Sequence, residues 1–171
     1  METVTTSLRI HPASYSTLKE IARKKGLKIA NALDQAMKLW IARETNMMVK
    51  ADLGNGIKPI SLDEITPELL IKSEIVEIEP LSDRFTRPQL AALAKMLCEI
   101  ADKQGSTVIV KIKDEKNPLW LVEKNFNPKE AYWKIIENAA NDETGIAAVK
   151  IGNKEMVLST RFFVKFPATS F

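Results

Sequence analysis

The sequence contains few of the residues that most often build catalytic and metal sites. Its 171 residues include one histidine, His11, and one cysteine, Cys98. One cysteine cannot form a disulfide within the chain, and a lone histidine far from it does not suggest a zinc site or a nucleophile–base pair. We therefore expect no enzymatic activity, no metal and no cofactor. Cys98 lies in an apolar run and is expected to be a small buried side chain.

Long apolar runs and phosphate-binding loops are also missing. No stretch approaches the roughly 18 consecutive apolar residues of a membrane-spanning helix, and the first residues lack the pattern of a secretory signal. The segment Gly54-Asn55-Gly56 lacks the lysine of a nucleotide-binding loop, and no strand is predicted before it. These absences predict a cytoplasmic protein without a membrane partner.

The positive charge is concentrated near the N-terminus. The net charge of the chain is +3, with 25 basic and 22 acidic residues. Residues 1–45 hold eight of the bases and four of the acids, a net charge of +4, which leaves the remainder at −1. A small basic segment attached to a nearly neutral body is typical of a polyanion-binding module.

The first forty residues predict a strand followed by two short helices on either side of Gly26. The side chains of residues 3–10 follow an alternating pattern, and successive side chains on a strand point to opposite faces. The apolar face holds Val4, Thr6, Leu8 and Ile10, and the polar face holds Thr5, Ser7 and Arg9. Helix A opens at Pro12 or Ser14, and helix B has an apolar stripe of Ile29, Leu33, Ala36, Met37 and Trp40. Such a unit cannot close a core alone, so we expect a second copy to complete it.

Residues 4–40 resemble the ribbon-helix-helix family of the Arc, MetJ and CopG type. The resemblance depends on the alternating strand, on Leu18-x-x-Ile21-Ala22-x-x-x-Gly26-Leu27 and on the apolar second helix. It covers about the first quarter of the chain. It implies a homodimer in which the two strands pair antiparallel and enter the major groove of double-stranded DNA.

The resemblance also assigns contacts to individual residues. The base-reading face would be Thr5, Ser7 and Arg9, because an arginine fork can bond both acceptors of a guanine edge and hydroxyls can bond several bases. The phosphate contacts would come from Lys28 and Ile29 at the start of helix B, with Lys24 and Lys25 near enough to add charge. The sequence departs from the family at Lys28, where members usually carry a serine or threonine that caps the helix.

Turn-forming residues divide the chain into two domains. We predict a ribbon-helix-helix domain over residues 1–45, a linker over 46–60 and an α+β domain over 61–171. The predicted order of the second domain is β-α-β-β-α-β with one added C-terminal strand, which suggests a ferredoxin-like sheet with both helices on one face. Helix starts are expected at Thr86, three residues before Gln89, and at Asn127, and a helix end at Gly105.

An acidic stretch precedes the first long helix of this domain, and its acids include Glu74, Glu77 and Glu79. A divalent-cation site and a solvated edge strand are both compatible with it, and the edge strand is favoured because charged side chains discourage edge-to-edge pairing.

These observations favour a sequence-specific DNA-binding protein, a dimeric transcriptional repressor that occupies its operator as a dimer or a higher oligomer. Three alternatives remain open. The protein could be a plasmid or viral DNA-maintenance factor, acting in partition, copy control or the relaxosome. It could be an antitoxin. The N-terminal unit could also be only a dimeriser for a C-terminal domain that binds a ligand or protein, joins oligomers or acts as an enzyme.

Overall fold

The computed structural model describes residues 9–44, 47–139 and 147–167. The chain divides into two compact units, Met1–Ile41 and Ala42–Phe171. Both helices and strands are present, and the strands form one antiparallel sheet, so the α+β class is confirmed. No helix within the described ranges is long and apolar enough to cross a membrane.

From residue 9 onward, the first unit forms two helices, α1 (Pro12–Lys24) and α2 (Ile29–Glu44). Helix α1 begins after His11, whose Nδ1 accepts a hydrogen bond of 3.3 Å from the amide of Ala13. It ends at Lys24, and Gly26, the residue after its C-cap, has φ +66°. The predicted break between two helices at this glycine is confirmed.

The described residues of the second unit form eight strands, three α-helices and one 3₁₀ turn. In chain order they are β1 (Met48–Asp52), β2 (Lys58–Ser61), the 3₁₀ turn (Leu62–Glu64), α3 (Pro67–Lys72), β3 (Val76–Pro80), α4 (Arg87–Lys103), β4 (Val108–Lys113), β5 (Leu121–Phe126), α5 (Pro128–Ala139), β6 (Ala147–Ile151), β7 (Lys154–Leu158) and β8 (Phe163–Phe166). The strands form one sheet in the order β2-β1-β3-β8-β7-β6-β4-β5, with every neighbouring pair antiparallel.

The predicted linker over residues 46–60 is wrong. Strands β1 and β2 pair across this interval, and Val49 and Ala51 are buried in the core. The turn chemistry recognised in the sequence belongs to their hairpin loop, where the amide of Gly54 donates to Asp52 Oδ1 at 2.8 Å. A hairpin loop and a linker use the same residue types, so composition alone does not separate them.

The predicted ferredoxin-like topology is also wrong. In that arrangement the strand before α4 would lie next to β5, whereas β3 lies between β1 and β8. The single C-terminal strand that was expected is two strands, because the chain turns at Ser159. Its Oγ accepts bonds from the amides of Arg161 and Phe162, at 3.1 and 3.2 Å. Strands β7 and β8 therefore separate β6 from β3.

The described helices of the second unit all pack on one face of the sheet. Helix α4 packs against β6 and β7, α5 packs against β4 and β5, and the two helices contact each other. The layer between them and the sheet is the core, and its largest fully buried side chains include Phe163, Leu93, Leu97, Ile100 and Met156. The opposite face of the sheet carries none of these helices.

The local signals that predicted helix ends are confirmed. Thr86 and Gln89 form a capping box, in which each side chain bonds the backbone amide of the other. Asn127 Oδ1 accepts from the amide of Glu130 at 2.9 Å at the start of α5.

The acidic strand, by contrast, is not an edge strand, because β3 is paired on both sides.

Candidate nucleic-acid interface

The turn between α1 and α2 is fixed by its main chain. The amide of Leu27 donates to the carbonyl of Ala22 at 2.9 Å, and that of Gly26 donates to Arg23 at 3.2 Å. This pair of bonds is a Schellman motif, which requires a left-handed residue after the helix and so favours glycine. The direction in which the chain leaves α1 is therefore set by local chemistry.

Exposed cations surround this turn. Arg23 and Lys24 occupy the last turn of α1, Lys25 is its C-cap, and Lys28 precedes α2. All four side chains are exposed. Lys24 Nζ lies 2.9 Å from Glu20 Oε1, but both groups are largely solvated, so the pair contributes little stability and leaves the lysine available to a stronger anion.

The first turn of α2 carries amides that no acidic side chain neutralises. The carbonyl of Lys28 accepts the first helical bond from the amide of Ala32, at 3.0 Å. No acidic residue lies in the first turn of α2. The helix dipole and the open amides of a first turn favour an anion, and a lysine side chain adds charge but cannot accept a bond from those amides. Ile29, the first residue of α2, is half-buried.

The predicted base-contacting residues are only partly covered by the structure. Thr5 and Ser7 lie outside the described residues, as does the rest of the predicted strand before Arg9. Arg9 is exposed and belongs to neither a helix nor a strand. The structure thus brings Lys24, Lys25, Lys28 and Ile29 together around one turn, while the relation of Thr5, Ser7 and Arg9 to that turn stays a prediction.

The two helices of the first unit leave much apolar surface uncovered within a single chain. Among residues 9–41 only two side chains are buried, Ala22 and Ala32. Large apolar side chains that are more than two-fifths exposed are Tyr15, Ile21, Met37, Leu39, Trp40 and Ile41. The apolar stripe predicted for helix B is therefore only partly covered by its own chain: Ile29 and Leu33 are half-buried, and the rest of the stripe is exposed. Met37, Trp40 and Ile41 are spaced three and four residues apart, so they lie on one side of α2.

The cysteine of the second unit lies at a groove but is not reactive there. A groove between α4 and α5 is lined by residues that include Cys98, Glu99, Tyr132 and Trp133. Burial raises the pKa of the Cys98 thiol to about 12, and the nearby Glu99 carboxylate adds to the rise. A thiol in this state is a poor nucleophile. Across the ranges that the structure describes, no three histidine, cysteine or acidic side chains converge as metal ligands do.

Comparisons of the chain with protein-family models, curated proteins and solved structures give no match.

The sequence interpretation missed two features of the described surface. One is the loop of the β4–β5 hairpin, where Leu119 is 92% exposed beside Trp120. The other is the face of the sheet that carries no helix. Strand alternation could have indicated the second feature, but only with the strand order known.

Proposed function

We propose that this chain is a sequence-specific double-stranded DNA-binding protein that acts as a homodimeric transcriptional repressor. The observation that carries the proposal is the cluster of exposed cations at the start of α2, next to apolar helix surfaces that a single chain leaves open. In the proposed dimer, the strands that precede α1 pair as a ribbon in the major groove. Thr5, Ser7 and Arg9 contact bases there.

The dimer follows from the energetics of the first unit. Across residues 9–41 the only buried side chains are two alanines, so these helices bury too little apolar surface there to offset the entropy of ordering them. A second copy that covers Met37, Trp40 and Ile41 would supply the missing burial, at about 25 cal/mol for each Å² of apolar surface removed from water. We therefore expect dimerisation and folding of this unit to be coupled.

The phosphate contacts follow from charge and helix geometry. Lys24, Lys25 and Lys28 would surround the phosphate that the first amides of α2 bind, with the amide of Ile29 as one donor. Because lysine supplies charge without directional capping, this clamp should tolerate any sequence. Discrimination between sequences is then assigned to the strand face.

The decisive experiment is selection of bound duplexes from a random library by the purified full-length protein. Enrichment of an inverted repeat would support a dimer that reads two half-sites, and failure to enrich any sequence would overturn the proposal. Selection by the Trp40→Glu variant provides the link to dimerisation, since this variant should lose both self-association and sequence enrichment.

Substitution of Arg9 tests the strand face directly. The Arg9→Ala variant should lose about 1–3 kcal/mol of discrimination between the selected site and random DNA, measured by fluorescence anisotropy. Arg9→Lys retains the charge but not the fork, so it should bind random DNA normally and still discriminate poorly. Arg23→Ala is the matched control, because it removes an exposed arginine that is not on the strand. Equal discrimination by Arg9→Ala and wild type would refute the assignment.

A further inference from the structure

The face of the sheet opposite α4 and α5 carries an apolar row at its centre. Val164, Val157, Ala148 and Ile109 stand in register on four adjacent strands, β8, β7, β6 and β4. A sheet face that meets only water normally carries polar residues at such positions. This row is instead continuous across about 14 Å, given the spacing of about 4.8 Å between strands.

The charges on either side of this row have opposite signs. Toward β1 and β3, the same face carries Asp52, Glu77 and Glu79 with one lysine, Lys50, a net charge of −2. Toward β4 and β6 it carries three lysines with two acids, a net charge of +1. Those five residues are Lys111, Lys113, Lys150, Glu123 and Glu155. The face is thus apolar in the middle and acidic at one end and basic at the other.

We infer that this face, which we call the open sheet face, binds the same face of a second copy of the chain. A two-fold axis parallel to the strands would place the β3 end of one copy over the β6 end of the other, so acids would meet lysines. Val164 would then pack on the partner's Val157 across the axis, and Glu77 would lie near Lys150 of the partner subunit. A two-fold axis perpendicular to the strands would instead place acids over acids.

The area of the open sheet face is close to what a second copy of the chain would bury in a stable dimer. Eight strands at about 4.8 Å, each about 17 Å long, cover on the order of 600 Å² in projection, close to the roughly 800 Å² that each partner buries in a standard interface. Two sheets packed face to face also form a common arrangement, with strands about 30° apart because each sheet twists. The hairpin loop at Leu119 is a smaller surface, and it carries no comparable separation of charge.

This interface is independent of the proposed DNA-binding dimer, and the two can be tested separately. The Val157→Lys variant of the full-length chain, measured by sedimentation equilibrium, should have half the assembly mass of the wild type. Val157→Lys should again halve the mass in the Trp40→Glu background, where the proposed pairing of the first unit is prevented. Leu119→Lys is the matched control, since it places the same charge on an exposed apolar site away from the open sheet face, and its mass should not change.

Charge-exchange variants test the same interface without placing a charge in the apolar row, so a folding defect in Val157→Lys would not affect their outcome. Glu77→Lys and Lys150→Glu should each weaken self-association by about fivefold or more, since each contact occurs twice in a symmetric dimer. The double variant should restore it. An unchanged mass for Val157→Lys in both backgrounds would overturn the inference, and so would a halved mass for Leu119→Lys alone. Failure of the double variant to recover would refute the proposed orientation.

Discussion

The ammonium group of Lys165 on β8 donates a hydrogen bond of 2.6 Å to the main-chain carbonyl of Ser73, which follows α3. The same Nζ atom also donates to the carbonyls of Leu70 and Ile71, at 3.3 and 2.8 Å. The last carbonyls of a helix have no partner within it, and a cation there also complements the helix dipole. Lys165 is only 7% exposed. A buried charge therefore joins the end of α3 to the sheet.

Removal of this hydrogen-bond donor should destabilise the second unit. Lys165→Met keeps much of the apolar stem but leaves buried carbonyls without a donor, which should lower the free energy of unfolding by about 1–3 kcal/mol. Urea denaturation followed by circular dichroism would measure the change. Lys113→Met, at an exposed lysine on β4, should lie within about 0.5 kcal/mol of the wild type. Equal stability of Lys165→Met and wild type would contradict this role.

The same lysine gives stability a defined pH dependence. Burial lowers the pKa of Lys165 from its ordinary 10.5, Lys154 lowers it further, and Glu74 opposes them. Between the folded value and 10.5 the unfolded chain binds more protons, so stability rises with pH across that window. The difference in unfolding free energy between wild type and Lys165→Met should therefore grow as pH rises toward 10.5. A difference that shrinks over this range would show that the pKa is raised instead.

Gln89 connects the start of α4 to β1. Its Oε1 accepts from the amide of Thr86 at 3.0 Å, and its Nε2 donates to the carbonyl of Met48 at 2.9 Å. Gln89→Glu keeps the first bond and loses the second at a buried site, so it should cost about 2 kcal/mol. Thr86→Ala removes only the local cap and should cost about 1 kcal/mol. If the two variants were equally stable in urea, the bond to Met48 would contribute nothing.

Gln89 also illustrates what sequence can and cannot predict here. The capping box was predictable because Thr86 and Gln89 are three residues apart, and local spacing decides their geometry. The bond to Met48 spans 41 residues and leaves no local pattern. Strand order is equally non-local, which is why the elements of the second unit were largely predicted while the ferredoxin-like pairing was wrong.

The candidate site shows the same difference between local features, which the sequence predicts, and non-local features, which it does not. The helices, the glycine turn and the cations around it were predictable, because each depends on residues within one turn of the chain. The exposure of Trp40 was not, because the pattern of an apolar stripe says that a face will be covered but not by which chain. The role of His11 as an N-cap was missed too, although a side chain that accepts a bond near a helix start is a recognisable signal.

Gly26 should be sensitive to any added side chain. A Cβ atom at this position would meet no other atom within 4 Å, so the cost of Gly26→Ala comes from the backbone, which has φ +66°. The left-handed conformation costs an alanine about 1–2 kcal/mol. Hydrogen exchange at the Leu27 amide, which is bonded to Ala22, should accelerate by roughly tenfold. Gly26→Asn should show a smaller increase, because asparagine adopts this conformation more readily, and an equal increase would argue for a steric cause.

Cys98 should resist modification in the folded protein. With a pKa of about 12, roughly one molecule in 10,000 carries the reactive thiolate at pH 8. Labelling by iodoacetamide should therefore be slow, should accelerate about tenfold for each pH unit, and should become fast once the chain is unfolded in urea. Rapid stoichiometric labelling of the folded protein at pH 8 would show that the thiol is neither buried nor raised in pKa.

Lys28 should contribute to DNA affinity without contributing to sequence preference. If its ammonium contacts one phosphate, Lys28→Gln removes about 0.9 from the slope of log K against log salt, and about 1.8 for a dimer with two such contacts. Affinity for the selected site and for random DNA should fall by the same factor, because phosphates carry no sequence information. Lys19→Gln removes an exposed lysine from α1 that has no assigned contact, so its slope should equal that of the wild type. A Lys28→Gln slope equal to that of Lys19→Gln would place the phosphate elsewhere on the first unit.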